Sequence, residues 1–410
     1  MGGIAFLVLA AVALGWPQPV EAETVIWQPA APAPSWAKSI EVVDDGAPVM
    51  LEPRSDARRR GTVGAGTRLG FKQRVFGEDC STGVWYETSD ELFICEGHVQ
   101  PSQVPPGPKL DELSPTGSRL PQRYAFIRFG GTRAYAHPSD YFRNDYVEAL
   151  GKGFGIVVTA EQVYEGVEFV QTRRLYWVER DSVRFVEGSA FAGVKLQRGA
   201  PLDFAWVSQK PAKVYERPQG PVLKRLDRHS RVRIESTKGA WAKLVDGGWM
   251  RAVDLARTKL VEPPDGVEPT DRWIDIDVGQ QVLVAYEGAT PMFATLVSTG
   301  RDTKQSATPR GVFQIWVKLE YSDMDDIERA DLDKNYSIQD VPWVQFFEGS
   351  YGLHAAFWHD DFGHRRSHGC VNLSPSDARY LFQFTQPILP TGWNAILPMP
   401  EDRPTVVQVR

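Results

Sequence analysis

The chain has 410 residues, of which 42% are hydrophobic and 24% charged, and its formal net charge is -6 at pH 7. This composition excludes a disordered or low-complexity protein and leaves room for two to four packed domains. The net negative charge and the lack of a long basic tract argue against nucleic acid as a partner.

The amino-terminal segment has the features of a signal peptide. Residues Ile4 to Gly15 form an apolar run that is too short to span a bilayer comfortably, and Val20-Glu21-Ala22 places small residues at the cleavage positions. We predict cleavage after Ala22 (residues 1–22), which implies a secreted protein that is periplasmic or associated with the cell wall. No Lys or Arg precedes the apolar run, so an uncleaved anchor is the alternative; no later stretch is apolar enough to span a membrane.

The three cysteines divide into a pair and a single thiol. Cys80 and Cys95 lie fifteen residues apart in a β-rich segment, and we predict a disulfide between them in an oxidising compartment. Cys370 is then the odd thiol. Its neighbours are histidine, glycine and asparagine, which are unusual around a buried, unreactive cysteine.

Three segments with a similar order of short strands come before the last third of the chain, at residues 37–103, 123–195 and 204–260. Each alternates apolar and polar residues between Gly or Asp turns, which predicts small antiparallel β-barrels. They resemble bacterial SH3-like domains, most in 204–260 and least in 123–195. The resemblance implies that they bind the wall or a protein partner, or that they are spacers.

Pro-rich stretches at Val99 to Gln122 and Val261 to Thr270 are predicted to be linkers. Because the motifs described below all follow the second linker, residues from about Asp271 to Arg410 are expected to fold and react on their own.

The pattern changes in residues 271–400, where longer alternating strands predict a β-rich, sandwich-like domain. A helix is predicted to follow Cys370. Ser374 suits its N-cap, Pro375 its first position and Asp377 its first turn. The whole chain is therefore predicted to be mainly β.

The most informative segment of the chain is Ser367-His368-Gly369-Cys370-Val371-Asn372. A nearby base or cation lowers the pKa of a thiol, and a glycine lets backbone N–H groups approach an oxyanion closely. The segment therefore indicates a nucleophilic cysteine. Four of the seven histidines lie close together just before Cys370: His354, His359, His364 and His368.

Residues from Trp273 to about Pro398 resemble the L,D-transpeptidase (YkuD-type) catalytic domain. The resemblance rests on the order of Thr308-Pro309-Arg310-Gly311-Val312-Phe313, then His354, then the segment from Ser367 to Asn372. It implies a cysteine acyltransferase that attacks a peptidoglycan tetrapeptide stem, releases the terminal D-alanine and passes the acyl group to an amine. It implies no cofactor, and peptidoglycan stem peptides as the partner.

The same resemblance implies the roles of the site residues. Cys370 is the nucleophile, and His354 is the base, with its ring oriented by the carbonyl of Ala355. The backbone N–H groups of Gly369 and Cys370, with His368, are expected to form the oxyanion hole. From spacing alone, His368 could equally be the base, because residues two apart in an extended segment face the same side.

Several residues near the motif are predicted to contact the substrate: Ser367, Asn372, Arg366, Trp343 and Tyr351. Asn372 could instead make only local hydrogen bonds, and the arginine could simply be solvated. Residues Glu320 to Gly349 form a long acidic insertion with an aromatic end, which predicts a lid over the active site. A plain surface loop is the alternative.

Three other functions are open at this point. The same thioester could pass to water, which would make an L,D-carboxypeptidase or an amide hydrolase that trims the wall or releases wall-bound protein. A zinc hydrolase would use the clustered histidines and Cys370 as ligands, but their spacing fits no standard zinc signature, so no metal is predicted. A non-catalytic envelope scaffold would not need His354 and Cys370.

Overall fold

The computed structural model describes residues 27–108, 118–208, 211–325 and 337–410. It is mainly β, with 46% strand and 7% helix, as the sequence pattern predicts. The predicted signal peptide lies outside the described residues. Within the described ranges, no helix has the length and apolar character that a membrane crossing requires.

The first segment divides its strands between two sheets, and a disulfide joins Cys80 to Cys95, whose Cα atoms are 5.5 Å apart. Its last strand, Val99–Ser102, falls at the start of the predicted linker from Val99 to Gln122, so the linker prediction is wrong for these four residues. They pair with the first strand of the segment, and Val99 is part of its apolar core. The strands are β1 (Ser39–Val42), β2 (Ala47–Met50), β3 (Arg59–Val63), β4 (Arg68–Leu69), β5 (Phe71–Phe76), β6 (Val84–Thr88), β7 (Phe93–Cys95) and β8 (Val99–Ser102).

The second segment contains a short helix and a long bent strand. The elements are β9 (Tyr124–Ile127), β10 (Thr132–Ala134), α1 (Asp140–Arg143), β11 (Glu148–Leu150), β12 (Gly155–Tyr164), β13 (Val167–Thr172), β14 (Trp177–Glu179), β15 (Val183–Val186) and β16 (Val194–Lys195).

The third segment consists of the strands β17 (Phe204–Val207), β18 (Ala212–Tyr215), β19 (Val222–Leu226), β20 (Arg231–Lys238), β21 (Trp241–Leu244), β22 (Trp249–Arg251) and β23 (Leu255–Arg257). They form a seven-stranded sheet in the order β19-β18-β22-β21-β20-β17-β23.

The three segments share a ground plan. In each, a short strand is followed by one 3-10 turn and a closing strand, and the closing strand pairs antiparallel with the first strand of its segment, as β8 with β1, β15 with β9 and β23 with β17. No closed barrel is found among the described residues, so the SH3-like assignment stays a prediction. The turns are Glu96–His98, Arg180–Ser182 and Ala252–Asp254.

The last third of the chain packs two sheets around one helix. One sheet has the order β16-β26-β25-β24-β33-β27, and the facing strands belong to the largest sheet. The apolar core between them includes Ile274, Phe293, Leu353 and Val371. The elements are β24 (Arg272–Asp277), β25 (Val282–Glu287), β26 (Thr290–Leu296), β27 (Gly311–Gln314), β28 (Val317–Asp325), β29 (Ser337–Glu348), β30 (Tyr351–Ala355), β31 (Val371–Leu373), α2 (Pro375–Phe384), β32 (Trp393–Ile396) and β33 (Val406–Val409).

The predicted helix after the cysteine is confirmed as α2. Ser374 is its N-cap, and its hydroxyl accepts a hydrogen bond from the N–H of Asp377, with Pro375 at the first position. Ala378 and Leu381 point into the core between the sheets. This packing fixes the strand that leads into the helix, which is β31.

All three segments pair with or pack against this last domain. One sheet of fifteen strands contains the path β14-β13-β12-β29-β28-β32-β3-β2-β7-β6-β5, so strands of the first and second segments flank those of the last domain. In addition, β16 pairs with β26. The third segment contributes Trp206 to an apolar cluster that also contains Trp273 and Phe362. The segments are therefore packed against the last domain and are not merely tethered by linkers.

Candidate active site

Cys370 and His354 line the same cleft, which has a volume of about 590 Å³. The cysteine comes directly before β31, and the histidine lies on β30. These two strands pair in parallel, with His354 opposite Asn372. Because alternate residues of an extended strand face the same side, Cys370 and Asn372 share a face, and the pairing places the thiol and the imidazole on the same face of the sheet.

The imidazole of His354 is held in one tautomer. Its Nδ1 lies 3.0 Å from the carbonyl oxygen of Ala355, so Nδ1 carries the proton and donates it, which is the contact that the family resemblance implies. Trp358 stacks on the ring with centroids 5.8 Å apart. Only 2% of the residue is exposed, and this burial lowers the pKa of His354 to about 4. The ring is therefore neutral at pH 7, with a lone pair at Nε2.

The thiol of Cys370 is also neutral at rest. Its Sγ lies 3.6 Å from the carbonyl oxygen of Ser350, within reach of a thiol donor. The residue is partly exposed at the cleft, but the protein around Sγ raises the pKa of the thiol by desolvation. Both groups are therefore neutral at rest, a thiol and an imidazole that line the same cleft.

Gly369 has a conformational role in the loop before Cys370. Its φ is 131°, and a Cβ at this position would lie 2.3 Å from the ring of Tyr351. Its N–H donates to Oγ of Ser367 at 3.0 Å, and that hydroxyl donates in turn to the carbonyl of Cys370. The N–H of Gly369 was predicted to bind an oxyanion; it is instead already bonded to Ser367, which fixes the loop.

Thr308 positions this loop, and the sequence did not reveal it. Its buried hydroxyl accepts from the N–H of Gly300 at 2.9 Å and donates to the carbonyl of Gly369 at 2.7 Å. Gly300 must be glycine because a Cβ there would lie 2.0 Å from the carbonyl oxygen of Ser306. The threonine belongs to the motif that carries the resemblance, but its sequence separation of 61 from Gly369 hides the contact from sequence reasoning.

Asn372 makes the local hydrogen bond that was one of its two predicted roles. Its side-chain amide lies 3.0 Å from Nε2 of His359, and the N–H of Asp361 donates to Nδ1 of the same ring at 3.1 Å. Burial lowers the pKa of His359 to about 4, so this ring is neutral too. His359 had no predicted role; it holds the residue opposite His354.

The other predicted contact residues divide into two groups. Arg366, His368 and Tyr351 line the cleft, and Arg366 also pairs with Asp361. Trp343 is not among the residues that line the described cleft, and its contact with substrate stays a prediction. It lies in β29 with a φ of 58°, and it packs against the core of the last domain.

Two other parts of the chain contribute to the walls of the cleft. Phe126 and Gly153 belong to the second segment, for which a spacer role was one of the two alternatives. The acidic insertion forms a long hairpin of β28 and β29, and its arms contribute Met324 and Ile338. The rest of the predicted lid, residues 326–336, lies outside the described residues. In the ranges that the structure describes, no group of three or more His, Cys, Asp or Glu side chains is placed to hold a metal.

Comparison with known proteins shows what the last domain resembles. Residues 271–407 match the YkuD family model, described as the L,D-transpeptidase catalytic domain. A protein of Bacillus subtilis (strain 168), named as a candidate L,D-transpeptidase, YciB, is 25% identical over 146 residues, which are 32% of this chain and 70% of that protein.

Two solved structures are also similar. The catalytic domain of the E. faecium L,D-transpeptidase is 24% identical, and the match covers 34% of this chain and 98% of that one with a TM-score of 0.26. An L,D-transpeptidase from Stackebrandtia nassauensis is 26% identical, with 37% of this chain covered and a TM-score of 0.25; this chain spans 58% of its length.

Proposed function

We propose that this protein, whose residues 271–407 are an L,D-transpeptidase catalytic domain, is a peptidoglycan L,D-transpeptidase that works through a thioester on Cys370. One observation carries the proposal: within the matched domain, Cys370 and a tautomerically fixed His354 line a single cleft. The substrate is a tetrapeptide stem of the cell wall. We place its site of action outside the cytoplasm, with the amino-terminal segment as the export signal.

The acylation step follows from the two protonation states. Because Nδ1 of His354 donates to Ala355, Nε2 accepts the proton of the thiol as Sγ attacks the stem carbonyl. A new C–S bond forms, and the bond from that carbon to the nitrogen of the terminal D-alanine breaks. The proton on Nε2 goes to the departing amine. The imidazole is neutral again when the thioester is complete.

The oxyanion of this step needs donors other than Gly369, whose N–H already bonds to Ser367. We assign the N–H of Cys370 and the side chain of His368, which lines the cleft, to this role. The close contact between Gly369 and the ring of Tyr351 keeps the loop in the conformation that presents both groups.

The second step transfers the acyl group to an amine. The acceptor nitrogen attacks the thioester carbonyl and loses its proton to Nε2 of His354, while the C–S bond breaks and Sγ recovers a proton. Water in the place of the amine would give a carboxypeptidase. The apolar walls supplied by Phe126, Met324 and Ile338 favour the amine, because they limit the access of water.

Intact-mass spectrometry after exposure to a carbapenem tests the nucleophile. We expect one adduct on the full chain, none on Cys370→Ala, and adduct formation slowed by at least about a hundredfold in His354→Ala. His364→Ala is the matched control, because His364 comes from the same histidine-rich stretch but does not line the cleft, and it should react at the wild-type rate. An adduct on Cys370→Ala would refute the assignment.

Separation of muropeptides after incubation with tetrapeptide-stem substrates tests the reaction. Cross-linked dimers, together with released D-alanine, are the expected products. Trimmed monomers alone would mean that water is the acceptor and that the protein is a carboxypeptidase. Unchanged muropeptides, with a thiol that still reacts with the carbapenem, would contradict the proposed substrate.

A further inference from the structure

A second cavity, of about 400 Å³, adjoins the active-site cleft. The two share Phe126, Gly153 and Trp358 in their walls. The remaining wall comes from the second segment, which therefore supplies both the boundary of the cleft and the body of the neighbouring cavity.

Three cations lie around this second cavity: Arg128, Lys152 and Arg184. The backbone holds them together, because Arg184 is paired with Phe126 across the β9–β15 ladder and Lys152 precedes Gly153, whose N–H donates to Ile127 at 2.8 Å. All three side chains are exposed. Such a concentration of positive charge, in a chain of net charge -6, is an anion-binding arrangement.

Arg128 is held in place without losing its charge. Its Nη1 donates to the backbone carbonyl of Asp181 at 2.9 Å, and its guanidinium lies over the ring of Phe129, 5.1 Å from the centroid. Neither partner is a carboxylate, so the positive charge is available to a ligand. A guanidinium or ammonium beside an aromatic wall suits a carboxylate attached to a peptide chain.

The cavity lies on the side of His354. Trp358, which separates the cavity from the cleft, is the residue that stacks on the His354 ring. In the transfer step, the acceptor amine must approach from a direction in which Nε2 can take its proton. An acceptor that enters from this side brings its own peptide backbone past Trp358 and into the basic cavity.

We propose that this cavity is the acceptor subsite, and that Lys152 and Arg184 bind a carboxylate of the acceptor peptide stem. The proposal rests on the proposed transpeptidase function. It gives the second segment a role in choosing the acceptor: a stem with a free carboxylate is preferred over the same stem with that group amidated. The preference depends on exposed charges, so it weakens as salt concentration rises.

The test measures transfer by the full-length protein. The enzyme is first acylated by a tetrapeptide stem, and mass spectrometry then follows the transfer to one of two synthetic acceptor peptides that differ only in a carboxylate or an amide. The variant is the double substitution Lys152→Gln and Arg184→Gln. Lys224→Gln, an exposed residue of β19 away from both cavities, is the matched control. Reaction with a carbapenem and the thermal midpoint verify that each variant is folded.

We expect wild-type protein and Lys224→Gln to prefer the carboxylate acceptor, and the double variant to lose about three- to tenfold of that preference through a higher KM for the acceptor. An unchanged preference in the double variant, or none in the wild type, would overturn the inference. Calorimetry of the two acceptor peptides with unacylated protein tests the cavity separately. If transfer fails but the carboxylate peptide still binds more tightly in a Lys152- and Arg184-dependent way, the subsite stands and the proposed reaction is at fault.

Discussion

When the pH is lowered from 7.5 to about 4, this protein should unfold at less denaturant and its acylation should slow by about half, and the buried His354 is the reason. The pKa of this imidazole is lowered from 6.5 to about 4 by burial. A native state with the lower pKa binds fewer protons than the unfolded chain between these two values. The contribution of His354 to the free energy of unfolding is therefore complete above pH 6.5 and is lost as the pH falls towards 4.

The shift of roughly 2.5 pKa units corresponds to about 3 kcal/mol of unfolding free energy that disappears across this range. His359 adds a loss of the same sign, because burial lowers its pKa to about 4 as well. The wild type and His354→Gln must therefore be compared, since the difference between their pH dependences isolates His354. Urea unfolding at half-unit pH intervals gives the free energies.

The catalytic consequence has the same origin. A base with a pKa of about 4 stays neutral in mildly acidic buffer, so carbapenem acylation should be nearly constant from about pH 8 down to about pH 5 and should fall by half near pH 4. Single-turnover mass spectrometry in matched-ionic-strength buffers measures it. An acid limb centred near 6.5, with equal pH dependence of stability in the wild type and His354→Gln, would refute the reasoning.

Two further predictions concern parts of the structure that hold the site in place. Thr308→Val should lower the free energy of unfolding by about 2–4 kcal/mol and slow acylation, because it leaves the N–H of Gly300 and the carbonyl of Gly369 without their buried partner. Thr308→Ser should retain most of the stability and most of the acylation rate. Urea unfolding and carbapenem kinetics would detect the difference, and equal behaviour of the two variants would contradict the prediction. A chain of residues 271–410 should be about 5 kcal/mol less stable than the same residues within the full chain, and it should bind an apolar dye. The reason is that it loses the apolar cover that Phe191, Phe204 and Trp206 provide. A thermal midpoint equal to that of the full chain, without dye binding, would contradict this prediction.

Local chemistry explains what could be predicted from the sequence. The helix after Cys370 begins where Ser374 and Pro375 indicate, because capping depends on neighbouring residues alone. The contact of His354 with Ala355 joins adjacent residues and follows from the motif. The parts that could not be predicted depend on distant residues. The hydroxyl of Thr308 donates a hydrogen bond to the carbonyl of Gly369, in the loop before Cys370, and nothing in the local pattern indicates that contact.

The aromatic end of the insertion contains residues on both faces of β29. It was expected to cover the substrate, but residues three apart in an extended strand face opposite sides, so Trp343 and Phe346 cannot both face the cleft. The sequence alone does not say which of the two does. Phe346 lines the cleft, and Trp343 packs against the core of the last domain.

The packing of the segments against the last domain was not predicted, but two strands whose residues do not alternate carry the signal for it. Every residue of Tyr124–Ile127 and of Phe204–Val207 is buried. In β9, Ala125 and Ile127 belong to the core of their own segment, whereas Tyr124 and Phe126 pack with Phe357 of the catalytic domain; β17 divides its residues in the same way. A half-exposed strand of a free-standing small barrel would be polar at every second position. A strand that is apolar on both faces, in a segment too small to cover both, requires a second partner. In this chain that partner is the last domain, and the segment at residues 123–195, which contains β9, consequently forms part of the wall of the cleft.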